Sequence, residues 1–356
     1  MSGRWMIYGA NGYTGRLIVD LAREQGLTPI LAGRNSQAIL EMAKSTGLPG
    51  DIFDLSDSAR VARRIKGLDL VLNCAGPFSH TAKQMLSACI ASKVSYLDIT
   101  GEIDVFEMIY RREREIQDAG ICAIPGVGFD VVPTDALANL LKAKVPDASR
   151  LVLAFNAHNA TPSPGTAKTL IEGISYGGRI RKDGAIVGVP TTFKTGMIPF
   201  AEGSASVVTI PWGDISTAYR STGIRNIEVH MAVKDQDLER LRKAEGIRWL
   251  LSIPFVRTLL QKYIARTFKG PGDEERQSGK VSLWGEVEND TGHRERLTMQ
   301  TPNGYSLTAA AAMAAVGRVL SARPNAGVYT PIEAFGSEFA LTLPGVKLTQ
   351  PEMALS

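Results

Sequence analysis

The feature that most restricts this chain is an alternation over its first 135 residues. Six short apolar runs, Trp5–Tyr8, Thr28–Ala32, Asp51–Leu55, Leu68–Ala75, Val94–Ile99 and Ile121–Ile124, read as strands. The stretches between them, Leu17–Gln25, Ser36–Ser45, Ser58–Ile65, Thr81–Ala91 and Val105–Ala119, read as helices. Leu68–Ala75 is a continuous apolar run, as a strand buried on both faces of a sheet must be. Strands that alternate with helices in this order predict an α/β fold with a parallel, doubly wound sheet.

From about Pro133 to Asn303 the texture changes. Leu151–Ala157, Val207–Trp212, Glu228–Val233 and Lys280–Glu288 alternate like strands, and the segments between them are rich in Gly, Pro, Ser and Thr. Tyr305–Leu320 then returns to a strong, Ala-rich helical signal. A length of 356 residues suits about two domains. The expected division is a doubly wound domain over residues 1–135, completed by residues 304–345, with a mixed α+β domain inserted over residues 136–303.

Gly9-x-x-Gly12-x-x-Gly15 lies between the first strand and the first helix, the context that a dinucleotide-binding turn requires. Glycines there permit a tight turn and close backbone approach, and the helix N-terminus offers free N–H groups to a pyrophosphate. With Asn11, Tyr13 and Thr14 inside it, this loop identifies the first domain as a candidate Rossmann domain. Readers of an unphosphorylated ribose place an acid about 20 residues on. This chain has Arg34 after its second strand and no acid between Gly26 and Leu40. A guanidinium there suits a 2′-phosphate and so NADP; a surface arginine capping the next helix is the alternative. Asp54, past the third strand, either receives the adenine amino group or caps a helix. Ala75, Gly76, Pro77 and Phe78 end the fourth strand at the sheet edge where ligands bind in such folds, and small residues there admit a nicotinamide ribose. Asp98–Glu102 and Pro125–Asp130 end the next two strands at the same edge. Asp98, Glu102 and Asp130 are either reactive acids or caps and loop braces.

Other functions find less support. Forty Lys+Arg against thirty-six Asp+Glu leave a net charge of +4, too small and too mixed for a nucleic-acid partner. Three cysteines without a CxxC pair fit a reducing cytoplasm, and four scattered histidines give no metal site. Gly173-Ile174-Ser175-Tyr176-Gly177 matches a nucleophile-elbow pattern but reads as a helix end closed by glycine. Over residues 255–268, apolar Val256, Leu259, Leu260, Tyr263 and Ile264 share a helical face beside Lys262, Arg266 and Lys269. Such a helix either lies on an anionic membrane surface or packs within the protein.

Tyr8–Arg16, Ala32-Gly33-Arg34, Asn73–Phe78, Tyr96–Glu102 and Gly126–Asp135 resemble the saccharopine dehydrogenase-like oxidoreductase family. Ser163–Thr166, Gly270–Arg276, Gly304–Ala309 and Thr330–Gly336 resemble its branch of trans-acting enoyl reductases. The resemblance covers nearly the whole chain. It implies a Rossmann domain that binds NAD(P), interrupted by a substrate and dimerisation domain, hence a homodimer. It places cofactor contacts at the Gly9–Gly15 loop, Arg34, the Gly76–Phe78 turn, Gly101, and Gly128 with Phe129. The expected activity is NADPH-dependent reduction of a C=C or C=O bond in a lipid-like or other bulky apolar substrate. Tyr13, Asp98, Glu102, Asp130 and Tyr176 are the candidate proton donors. Imine reduction by an amino-acid-condensing dehydrogenase, or a silent NADP-binding scaffold, are the alternatives. The expected location is the cytoplasm, with peripheral contact at the inner membrane face.

Overall fold

A computed structural model describes residues 3–157, 161–166, 177–239, 256, 267 and 270–349. The chain forms two compact units, Met1–Val132 with Tyr305–Gly336, and Pro133–Gly304 with Ser337–Ser356. The first unit opens with β1 (Trp5–Tyr8), α1 (Tyr13–Glu24), β2 (Ile30–Gly33), α2 (Ser36–Thr46), β3 (Gly50–Ile52) and α3 (Ser58–Ile65). It continues with β4 (Leu70–Asn73), α4 (Phe78–Ser92), β5 (Ser95–Asp98), α5 (Ile103–Tyr110), α6 (Glu113–Asp118) and β6 (Cys122–Ile124). The chain then enters the second unit through α7 (Val132–Lys144), β7 (Arg150–Ala157), β8 (Gly178–Lys182), β9 (Ala185–Val189), β10 (Thr195–Phe200) and β11 (Gly203–Thr209). There follow α8 (Asp214–Thr222), β12 (Asn226–Ala232), α9 (Asp273–Ser278), β13 (Lys280–Glu288) and β14 (Arg294–Pro302). Helix α10 (Gly304–Ser321), β15 (Gly327–Val328) and α11 (Pro331–Phe335) return to the first unit, and β16 (Lys347–Thr349) ends the described chain in the second.

The first sheet runs β15-β6-β5-β4-β1-β2-β3, with every neighbouring pair parallel. Strand order therefore reverses between β1 and β4, which opens a crevice at their carboxyl ends. Both strands are buried along their whole length, because helices cover the sheet on its two sides. Helix α1 turns Ile18, Val19 and Ala22 inward at the spacing of successive helical turns.

The second unit is a mixed sheet in the order β10-β11-β12-β7-β13-β14-β16, with the β8–β9 hairpin joined to β12 at Arg181. Leu151, Leu153, Leu283 and Val287 are buried. Helix α7 approaches the sheet at Gly285, where an added Cβ would lie 2.7 Å from Leu141.

Several expectations needed correction. The first helix starts at Tyr13 rather than Leu17, so Gly15 lies inside its first turn. The helix expected over Val105–Ala119 breaks into α5 and α6 where the Arg112 amide bonds back to the Ile109 carbonyl at 3.0 Å. Nine described strands form the second sheet, against four expected: β8, β9, β10 and β16 are short, and the partly exposed β14 carries the charged start Arg294-Glu295-Arg296. The first unit ends at Val132, and its C-terminal part stops at Gly336 instead of 345. The chain beyond turns to the second sheet, where β16 pairs with β14. None of the described helices is long and apolar enough to cross a membrane.

Helix α10 fits the first unit through Thr308. Its hydroxyl accepts from the Phe129 amide at 3.0 Å, and Gly128 leaves room for its methyl, which a Cβ would approach to 2.9 Å. Thr308→Val keeps the shape and removes that acceptor. It should lower the stability of the first unit by about 1–3 kcal/mol in chemical denaturation, and an unchanged midpoint would contradict this packing.

Candidate functional site

The loop after β1 is shaped by what its glycines omit. Gly9 holds φ +83°, and a Cβ on it would come within 2.8 Å of the Ala75 amide nitrogen, so the loop lies directly against the end of β4. A Cβ on Gly15 would collide with the Gly9 carbonyl and stand 2.9 Å from the Ala10 carbonyl oxygen. Gly12 caps α1 without a side-chain bond, and no acidic residue occupies the first turn. No acid of its own first turn competes for the first N–H groups of α1, and the helix dipole adds positive potential there. Asn11 lies beside this cradle, with its Oδ1 3.1 Å from a Cβ built on Gly33. Thr14 is half-buried in the first turn of α1, and the Tyr13 ring meets Tyr305 edge-on at 5.0 Å.

Arg34 follows β2, is exposed, and forms no ion pair with another described residue. Near it, Tyr8 donates to the Phe53 carbonyl at 3.2 Å, and burial pushes its pKa up to about 12. Asp54 is exposed and accepts from the Ser56 amide at 2.9 Å and from the Ser56 hydroxyl, bonds that lower its pKa. The helix-cap alternative for Asp54 fails, because Asp57 caps α3 by accepting from Ala59 and Arg60 at 2.9 and 3.1 Å. Together the glycine cradle, the open helix end and the unpaired guanidinium fit a dinucleotide with a 2′-phosphate.

The candidate proton donors separate by their partners. Asp98 is fully buried. It accepts from the Tyr96 hydroxyl at 2.6 Å and from the Thr100 and Gly126 amides, each at 3.0 Å. Burial raises its pKa to about 6, against the lowering effect of those three bonds. Both oxygens serve the scaffold. Glu102 is likewise engaged, accepting from the Phe78 amide at 2.7 Å and the Ser79 amide at 2.8 Å at the start of α4. These contacts make Asp98 a brace of the strand ends and Glu102 a cap of α4. Tyr176 lies outside the described residues, as does the surrounding motif except Gly177, and as does the 255–268 helix except Val256 and Thr267. His80 is exposed in the first turn of α4.

Asp130 differs from the other acids. It is half-buried, accepts no hydrogen bond from a described residue, and burial pushes its pKa up to about 7. Gly101 makes room for it, since a Cβ there would lie 2.7 Å from the Asp130 Cβ. The next residue, Val131, holds φ +137°, a strained value for a β-branched side chain. Its amide bonds back to the Phe129 carbonyl at 2.8 Å, closing a tight turn around Asp130. Backbone strain of this kind tends to collect where a site must hold a side chain in one place. Asp130 therefore sits beside Gly101, and Glu102 next to it grips the Phe78 turn.

Three supporting residues escaped sequence reasoning: Tyr96, Tyr305 and Thr308. Tyr96 had a readable signal, because it stands two residues from Asp98 on the same face of β5. Thr308 had none, since its bond to Phe129 spans 179 positions.

Comparison with known proteins agrees with this geometry. Residues 5–124 match the saccharopine dehydrogenase NADP binding domain family. A mouse saccharopine dehydrogenase-like oxidoreductase is 30% identical over 202 residues, covering 50% of this chain and 47% of that protein. The chain thus spans about half the length of that relative. A lipid droplet localized protein of Caenorhabditis elegans is 24% identical over 399 residues, covering 93% of each chain. Among solved structures, apo saccharopine dehydrogenase (L-Glu forming) from Saccharomyces cerevisiae superposes with a TM-score of 0.65 at 12% identity, over 98% of this chain and 100% of that one, and so shares the fold. The fold is thus that of a saccharopine dehydrogenase, with an NADP-binding type of domain at its N-terminal end. Residues 5–124 are similar to a saccharopine dehydrogenase NADP binding domain, and half of the chain is similar to saccharopine dehydrogenase-like oxidoreductases.

The sign of the Asp130 effect can be checked without substrate. An unfolded aspartate ionises near pH ~3.9, whereas the folded group ionises at about 7. The folded state therefore holds the proton longer, and stability from this group is full below the unfolded pKa and is lost as pH rises through 7. Asp130→Asn should melt like the parent near pH 4 and at a higher temperature than the parent at pH 8. Comparing the two proteins cancels the similar contribution of Asp98. A variant less stable than the parent at pH 8 would contradict the burial of an unpaired carboxyl.

Proposed function

We propose that the protein is an NADPH-dependent reductase acting on a C=C or C=O bond of a lipid-like or otherwise bulky apolar substrate, with Asp130 as its proton donor. The observation that carries this reading is the half-buried Asp130 carboxyl in its strained turn beside Gly101, which accepts no hydrogen bond from a described residue and whose pKa burial pushes up to about 7. Bound NADPH supplies a hydride to one atom of the double bond. Asp130 gives its proton to the other, and solvent restores it afterwards.

The remaining residues bind and orient. The amides at Tyr13 and Thr14, approached past Gly12, receive the pyrophosphate, Arg34 the 2′-phosphate, and Asp54 the adenine amino group. Ala75, Gly76, Pro77 and Phe78, with Gly101, Gly128 and Phe129, border the nicotinamide end. The lipid-like substrate is supported by the lipid droplet location of the worm relative and by the similarity to enoyl reductases read from the C-terminal motifs. On this reading residues 133–304 form the substrate domain.

The proposal is tested by mixing the protein with NADPH deuterated at the transferring position and a cell lipid extract. Lipid-dependent oxidation with a product heavier by one deuterium and one hydrogen is expected; no oxidation with any fraction contradicts it. Cofactor choice is tested through Arg34. The parent should bind NADPH about ten- to a hundredfold more tightly than NADH, the worth of a charge-assisted bond. Arg34→Asp should erase that preference, and salt should weaken it in the parent. Equal affinities of the parent for both cofactors would remove the assignment.

A further inference from the structure

We propose that Glu102 is a positioning residue for the cofactor: it fills the N-terminus of α4, fixes the Gly76–Phe78 turn, and leaves α1 as the helix end that receives the phosphates. The inference rests on the NADPH-binding reading above and extends it.

Helix α4 runs for 15 residues from Phe78 and has Pro77 at its N-cap, with no side-chain cap of its own. Proline has neither an N–H to lose nor a polar atom to offer. The Phe78 and Ser79 amides would therefore stand open at a helix end carrying about half a positive charge. That end would be an anion site in competition with α1. The competition would be close at hand, because α1 follows β1, α4 follows β4, and these strands are neighbours with Tyr8 opposite Asn73. Glu102 removes it with one carboxylate, Oε1 at 2.7 Å from the Phe78 nitrogen and Oε2 at 2.8 Å from the Ser79 nitrogen. Bonds to a charged acceptor are about twice as strong as neutral ones, and two of them fix an orientation as well as a distance.

The clamp reaches the glycine loop through few steps. Ala75 lies just before the turn, and its carbonyl accepts from Thr81 of α4 at 2.6 Å. Its amide nitrogen is the atom that a Cβ on Gly9 would meet at 2.8 Å. A shift of the turn would thus move Ala75 against Gly9, where no slack exists. Gly76 is exposed, and a Cβ on it would meet only the Phe78 ring, at 3.6 Å, so the clamped turn keeps an open side for a ligand.

A plain helix cap would affect stability alone; a positioning residue also changes cofactor affinity and yields to an added carboxylate. NADPH is titrated into the parent, Glu102→Ala and Glu102→Gln, at constant ionic strength, with chloride, formate or inorganic phosphate as the anion. Glu102→Ala should bind NADPH about tenfold more weakly, equivalent to 1.4 kcal/mol. Formate should restore much of that loss. Inorganic phosphate should weaken NADPH binding further in this variant than in the parent. Parent-like affinity in a folded Glu102→Ala, or no response to formate, overturns the proposal. Should Glu102→Ala fail to fold, Glu102→Gln decides. It keeps one acceptor oxygen and loses the charge, so weaker binding than the parent supports the proposal and equal binding overturns it. Failure of the parent to bind NADPH would overturn the functional reading instead. The rise in melting temperature that formate should give Glu102→Ala reports the clamp without any cofactor.

Discussion

The Asp98 carboxylate joins the ends of three strands. One oxygen takes the Tyr96 hydroxyl and the other takes the amides of Thr100 and Gly126. Its backbone carbonyl accepts from Val127 at 2.8 Å, which ties the β5 end to the loop after β6. The Asn73 side-chain amide reaches Tyr96 at 3.4 Å and brings in β4. A buried carboxylate without such partners would be strongly disfavoured. Here the burial that raises its pKa is opposed by the three bonds, and the turns carrying Gly101, Gly126 and Gly128 are set as a group.

From that hub the edge divides its acids by environment. Asp98 and Glu102 spend their oxygens on backbone amides, one holding strand ends and the other a helix end. Asp130 accepts no bond from a described residue and lies in a turn that Val131 closes at a strained angle. Carboxyl groups on one edge can therefore differ in role without differing in kind, because hydrogen bonds fix two of them and desolvation alone acts on the third.

Much of the first unit was legible because its determinants are local. A parallel strand buried on two faces reads as an apolar run, and Gly9 and Gly15 of the β1 loop mark close backbone contacts that no larger residue permits. Arg34 was legible by what it replaced. The reading failed where contacts are distant or patterns weak. The Asp54 cap lost to Asp57 three residues on, a difference that only backbone geometry decides. The α5–α6 break has no proline or glycine to announce it. The hairpins of the second unit, with strands such as Ala185–Val189, lack the clean alternation of a half-buried sheet. Whether an acid is a cap or a reactant could not be read either, since that depends on which amides fold against it.

The central claim is that the β1–β4 crevice is built for NADPH, phosphates at α1 and nicotinamide toward Asp130. The most direct measurement is a structure of the protein grown with NADPH. The expected result is the pyrophosphate on the amides of Tyr13 and Thr14 beside Gly12, the 2′-phosphate on Arg34, and the nicotinamide bordered by Gly76 and Gly101. A pyrophosphate seated at the N-terminus of α4, or a 2′-phosphate away from Arg34, would contradict it.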